Sequence, residues 1–156
     1  MSEYVSEVSE RLRQEKIDSQ LSERRKQRLD DVLSVKSSDF FRALTRTAKA
    51  DAERLSRLDP RFSEVAFSNI ETGHSFKVQN TLYPAMWREV RQDCCGIRIT
   101  TTTLRDAAST PVSEPSERVD FKLGVDEELY MTHDGRRIED GLTGVLRTIL
   151  DPILRQ

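Results

Sequence analysis

The first fifty-nine residues contain no proline and the first seventy-two no glycine, although the chain of 156 holds five and six of them. Without breakers this opening has no ready means of turning sharply, and a helix is its natural state. Cysteine is nearly absent. Cys94 and Cys95 are adjacent, so they cannot staple distant parts of a fold as small secreted domains require. With no second cysteine pair and only His74 and His133 for imidazole, the donor set for a metal centre is thin. The same shortage of histidine weighs against a serine or cysteine nucleophile, which needs a base beside it. Both histidines flank expected turns, where they read as solvated turn residues.

No apolar run approaches the ~20 residues that a membrane-spanning helix needs, and the polar amino terminus has no apolar secretory segment. A cytoplasmic setting follows as the expectation. No two glycines fall at the start of a helix in the way a phosphate loop demands. Formal charge is only −2, with 13 basic and 12 acidic residues before Pro60 and 12 and 15 from there on. Neither half offers the broad positive field of a nucleic-acid binder. The densest basic run, Arg24, Arg25, Lys26 and Arg28, has no aromatic interleaved and is flanked by Glu23, Asp30 and Asp31. It reads as a solvated helix face.

What is present divides the chain in two. Val5, Val8 and Leu12, then Ile17 and Leu21, then Leu29, Val32 and Leu33 recur at helical spacings across residues 2–35. The stripe is thin, since between Arg13 and Arg28 only Ile17 and Leu21 are apolar. A helix of this length exceeds the width of a compact domain of this size, so it either projects or breaks near Asp18, Ser19 and Ser22. Ser37, Ser38 and Asp39 read as an N-cap cluster opening a second helix, with Phe41, Leu44, Ala48, Leu55 and Leu58 on its apolar face and Asp59-Pro60 as its end.

Alternation takes over beyond Pro60. Val65 and Phe67, then Phe76, Val78 and Leu82, read as a hairpin turning at Thr72-Gly73. Residues 85–91 read as a further strand. Ile97, Ile99, Thr101 and Thr103 oppose Arg98, Thr100, Thr102 and Leu104 on a β-branched strand. Residues 105–116, with Pro111 and Pro115, read as a surface loop. Val119, Phe121 and Leu123 form a strand, a charged turn at Asp126, Glu127 and Glu128 follows, and Leu129–Thr132 returns before Asp134-Gly135. Leu142, Val145, Leu146, Ile149 and Leu150, continued past Pro152 by Ile153 and Leu154, make the most apolar helical pattern of the chain.

The expected architecture is α+β, with two amino-terminal helices, an antiparallel meander of five or six strands, and a carboxy-terminal helix on one sheet face. Residues 1–36 form a helical arm and residues 37–156 a single α+β domain. The function expected is that of a non-enzymatic cytosolic interaction module. It forms a homodimer or docks another protein through Val5, Val8, Leu12, Ile17, Leu21, Leu29, Val32 and Leu33. The alternative is a carrier of a small apolar ligand between sheet and terminal helix, with Phe76, Tyr83, Met86, Trp87 and Phe121 around the cavity. Neither reading calls for a cofactor or a metal, and neither involves a membrane or nucleic acid.

Overall fold

The two expected amino-terminal helices are one. In the computed structural model, which describes residues 2–59, 65–71 and 74–155, helix α1 runs unbroken from Glu3 to Leu58. At 1.5 Å per residue it is about 84 Å long. Ser2 caps its start, the side-chain oxygen accepting from the Val5 amide at 3.3 Å. It ends at Leu58 with Asp59 as the capping residue; Pro60, expected to close it, lies outside the described residues.

Neither set of expected interruptions operates. Asp18, Ser19 and Ser22 sit within the exposed part of the helix, and Ser37, Ser38 and Asp39 within its interior. A capping side chain contributes about 1 kcal/mol, and only where the preceding chain leaves the helix. Here the helix continues through, and the turns following Ser37 bury Phe41, Leu44, Ala48 and Ala52. Ser37 itself faces inward and is buried.

The strands are β1 (Val65–Glu71), β2 (Ser75–Asn80), β3 (Ala85–Asp93), β4 (Gly96–Leu104), β5 (Val112–Ser113), β6 (Glu117–Leu123), β7 (Leu129–His133) and β8 (Arg136–Arg137). They form one antiparallel sheet in the order β1-β2-β3-β4-β6-β7-β8, with β5 paired to the far end of β4. The additional strands over the expected five or six are the two-residue pieces β5 and β8. β5 lies in the segment expected to be an irregular loop, where Thr102 and Thr103 pair with Ser113 and Val112. Such short pieces carry no readable alternation. The expected Thr72-Gly73 turn lies outside the described residues.

Strand pairing aligns one apolar face. Phe76 pairs with Val90, Val90 with Ile99, Ile97 with Val119 and Phe121 with Met131. Helix α2 (Gly141–Leu154) lies on this face with Val145, Ile149 and Ile153, all at most 1% exposed. The second half of α1 packs beside it through Phe41, Leu44 and Ala48. Phe40 meets Phe121 edge-on at 5.2 Å, and Phe41 and Phe67 both lie against Phe76. Gly144 admits close packing at the start of α2, because a Cβ there would stand 2.0 Å from the Glu139 carbonyl.

Candidate functional site

The eight residues expected to bind a partner separate into an exposed set and an anchored set. Every residue from Ser9 to Arg28 is exposed, and α1 has no buried side chain before Ser37. Leu12, Ile17 and Leu21 are 56%, 41% and 56% exposed, and Tyr4 and Val5 are exposed with them. Val8 is half-buried. Leu29, Val32 and Leu33 are half-buried, and Leu33 packs against the core of the sheet domain. The free arm is therefore 3–28, about 39 Å of helix. Helix α1 passes through position 36/37 without interruption, and its contacts with the sheet domain begin at Arg28.

Charges fix the base of the arm. Arg28 forms an ion pair with Glu127, Lys36 Nζ donates to the Glu127 carbonyl at 2.7 Å, and Lys36 lies 3.8 Å from the Glu128 carboxylate. The acidic turn at 126–128 thus serves as a clamp on α1. This contact joins residues about a hundred positions apart, and no local pattern announces it.

The apolar residues of the arm do not form one stripe. At 100° per residue, Tyr4, Val5, Val8 and Leu12 occupy one side of α1, the side that carries Phe41, Leu44 and Ala48 ten turns later. Ile17, Leu21 and Val35 occupy the opposite side, and Val35 is also exposed. Around them run solvated pairs such as Arg11–Glu15 and Glu10–Arg13, each contributing a few tenths of a kcal/mol to helix stability.

A second apolar surface lies at the other end of α1. Leu142, Leu146, Leu150 and Leu154 recur at four-residue steps along α2, in a row beside the sheet-facing Val145, Ile149 and Ile153. With Leu55, Leu58, Thr47 and Asp51 of α1 they line two adjoining hollows of about 220 and 160 Å³. Leu58 is 73% exposed. Leu146 and Leu150 are themselves buried and Leu142 and Leu154 pack half-buried against the core, as the sequence pattern reads them.

The five ligand candidates do not converge. Phe76 and Phe121 are packed into the aromatic core, and Met86 is buried on the same sheet face. Trp87, one residue on from Met86, points to the other face, where Lys77 Nζ lies 4.9 Å from its ring centroid. Tyr83 is exposed in the connection between β2 and β3.

The largest fully buried side chain is charged, and nothing in the sequence marks it. Arg88, on the inner face of β3, is 1% exposed. Its Nε donates to Thr101 Oγ1 at 3.0 Å, its Nη2 to Glu117 at 2.7 Å, and its Nη1 to the carbonyls of Thr148 and Ile149. Pro152 lacks the amide hydrogen that would normally bond the Thr148 carbonyl, so Arg88 supplies the donor that this proline removes. Burial pulls the Arg88 pKa below the ordinary arginine value, and Glu117 opposes that shift. The inward Thr101 of the threonine-rich strand thereby acquires a structural role.

Cys94 and Cys95 form the turn between β3 and β4 and are free thiols. Burial and a hydrogen bond with Cys94 push the Cys95 thiol up, which disfavours the reactive thiolate. His74 is exposed in a turn, while His133 is half-buried with Nε2 3.7 Å from Glu117. Among the described residues no group of three or more histidine, cysteine or carboxylate side chains is placed to hold a metal ion. Nor, among them, is any helix long and apolar enough to cross a membrane. No family model, no curated protein and no solved structure matches the chain.

Proposed function

We propose that this chain is a protein-interaction module whose α1 arm associates with another helix, and that a second copy of the chain is its first partner. The observation that carries this reading is the arm itself. About 39 Å of helix contributes no buried side chain to its own domain, yet it presents Tyr4, Val5, Leu12, Ile17 and Leu21 to water. Helices in proteins draw most of their stability from tertiary packing of an apolar face, and this segment has none within its own chain. An amphipathic helix with anchors at Val5, Val8 and Leu12 suits a hydrophobic groove. The free thiols at Cys94 and Cys95 suit a reducing, cytoplasmic setting.

Light scattering on the full chain and on a chain beginning at Gln27 tests the reading. The full chain is expected to exceed the monomer mass. The shortened chain, which loses no buried side chain, is expected to be a monomer that melts within a few degrees of the full chain. Equal monomer masses for both would reject self-association through the arm.

A further inference from the structure

We infer that the arm pairs with the arm of a second copy, antiparallel and two-fold, through the side of α1 that faces away from the sheet domain. The inference rests on the arm being an association device and adds the face it uses and the direction of its partner. Glu3, Glu7 and Glu10, then Gln14, Ile17 and Leu21, then Arg24 and Arg28 follow one another at alternating steps of four and three. That is the heptad spacing by which one helix presents a continuous seam to another. Every residue of this seam is exposed.

The seam is free of the chain's own fold. At 100° per residue it centres about 180° from the side on which Phe41, Leu44 and Ala48 enter the core. A second helix laid along it runs clear of the sheet domain as far as Arg28, where Glu127 closes the seam. Its charges are also largely unspent. Among the described residues Glu3, Glu7, Arg24 and Arg25 make no ion pair within the chain, and Glu10 has only the solvated Arg13 beside it.

Charge selects both the occupant and its direction. Residues 2–10 hold three acidic side chains and no basic one, whereas residues 24–28 hold four basic side chains and no acidic one. A seam that is acidic at one end and basic at the other complements a copy of itself only when that copy is reversed. With the two-fold axis at Ile17, Glu10 stands opposite Arg24 and Glu7 opposite the stretch between Arg25 and Arg28. Ile17 and Leu21 of both copies then meet at the centre, with Gln14 beside Leu21. Glu3 falls within a turn of both Arg28 and Asp31 and is neutral in the balance. Parallel pairing sets acid on acid and base on base. The reversed pair repeats every contact twice, closes as a dimer, and leaves the two sheet domains at opposite ends. With only two apolar side chains per copy in the seam, its charges decide the affinity.

Sedimentation equilibrium of the full chain gives the dimer dissociation constant. Glu7→Lys with Glu10→Lys, and separately Arg24→Glu with Arg25→Glu, should each weaken the dimer about tenfold. All four side chains are exposed, so circular dichroism should remain that of the wild type. A chain carrying all four substitutions is again complementary to its own reversed copy. It should dimerise to within about threefold of the wild type and form no mixed dimer with it, whereas a parallel pair demands the opposite preference. Val5→Asp with Leu12→Asp, on the other side of the arm, should leave the dimer intact. Failure of the four-fold variant to dimerise, preferential mixed dimers, or loss of the dimer on changing Val5 and Leu12 overturns the antiparallel seam while association through the arm stands. A monomeric wild type overturns both.

Discussion

The two halves of α1 are one helix by backbone and two different objects by burial. Residues 29–58 place Phe41, Leu44, Ala48 and Ala52 into a core shared with the sheet and α2. Residues 3–28 bury nothing. The halves have similar helix-forming composition and neither contains glycine or proline, so intrinsic propensity does not distinguish them. What distinguishes them is whether the side at which apolar residues gather meets another part of the same chain. Helicity and contribution to the fold are therefore separate properties, and mutations should separate them.

The largest effect belongs to the core that anchors the second half. Ile149→Asp puts a carboxylate at a fully buried position of α2 and should abolish folding, seen as loss of cooperative melting. A variant that melts within a few degrees of the wild type would show α2 to be peripheral. Next, Leu44→Ala should cost about 2–5 kcal/mol in urea denaturation, whereas Leu12→Ala should stay within about 0.5 kcal/mol. Equal costs would break the distinction between the halves.

Arg88→Met should cost about 3 kcal/mol, since it leaves the Thr148 carbonyl and Glu117 without their donor. Adding Pro152→Ala restores an amide for that carbonyl and should recover about 1 kcal/mol, a coupling that a double-mutant cycle reads directly. No coupling would mean that Arg88 does not compensate for the proline.

The smallest effect is electrostatic and sits near the base of the arm. The Asp93 carboxyl accepts from the Cys94 amide at 2.7 Å and pairs with Arg118, which together hold it below the usual carboxylate range. The folded state then binds this proton less readily than the unfolded chain does. Its contribution is complete above the unfolded value, about pH 4, and is lost as pH falls through the lower folded value. Asp93→Asn should lower neutral stability slightly, by the screened worth of this pair, and flatten the acid limb of the stability curve by the same small amount. A large neutral loss would assign Asp93 a role beyond this pair.

Much of the fold is legible in residue order because it is written locally. Alternation at Phe76 and Val78, at Ile97 and Ile99, and at Val119 and Phe121 places three strands and their inward faces correctly. The four-residue and three-residue steps of Leu142, Val145, Leu146 and Ile149 place α2, which continues past Pro152 as the pattern implies. The candidate site is legible only in part. Val5, Val8, Leu12, Ile17 and Leu21 are exposed or half-exposed on the arm, whereas Leu33 at the same apparent periodicity is drawn into the core. Periodicity reports a face and is silent on what covers it.

By itself the sequence determined helix where breakers are missing, strands where β-branched residues alternate, and an apolar carboxy-terminal helix, because each is a preference of neighbouring residues. Tertiary structure alone decided that the two amino-terminal segments are continuous. A cap worth about 1 kcal/mol does not outweigh an uninterrupted hydrogen-bond ladder and the burial of Phe41 and Leu44. It also decided that a charged residue occupies the core, since Arg88 is stable there only because Thr101, Glu117 and the carbonyls around Pro152 converge on it from three elements. The two hollows between α1 and α2 arise in the same way, where the end of α1 meets residues about ninety positions away whose proximity no local preference encodes.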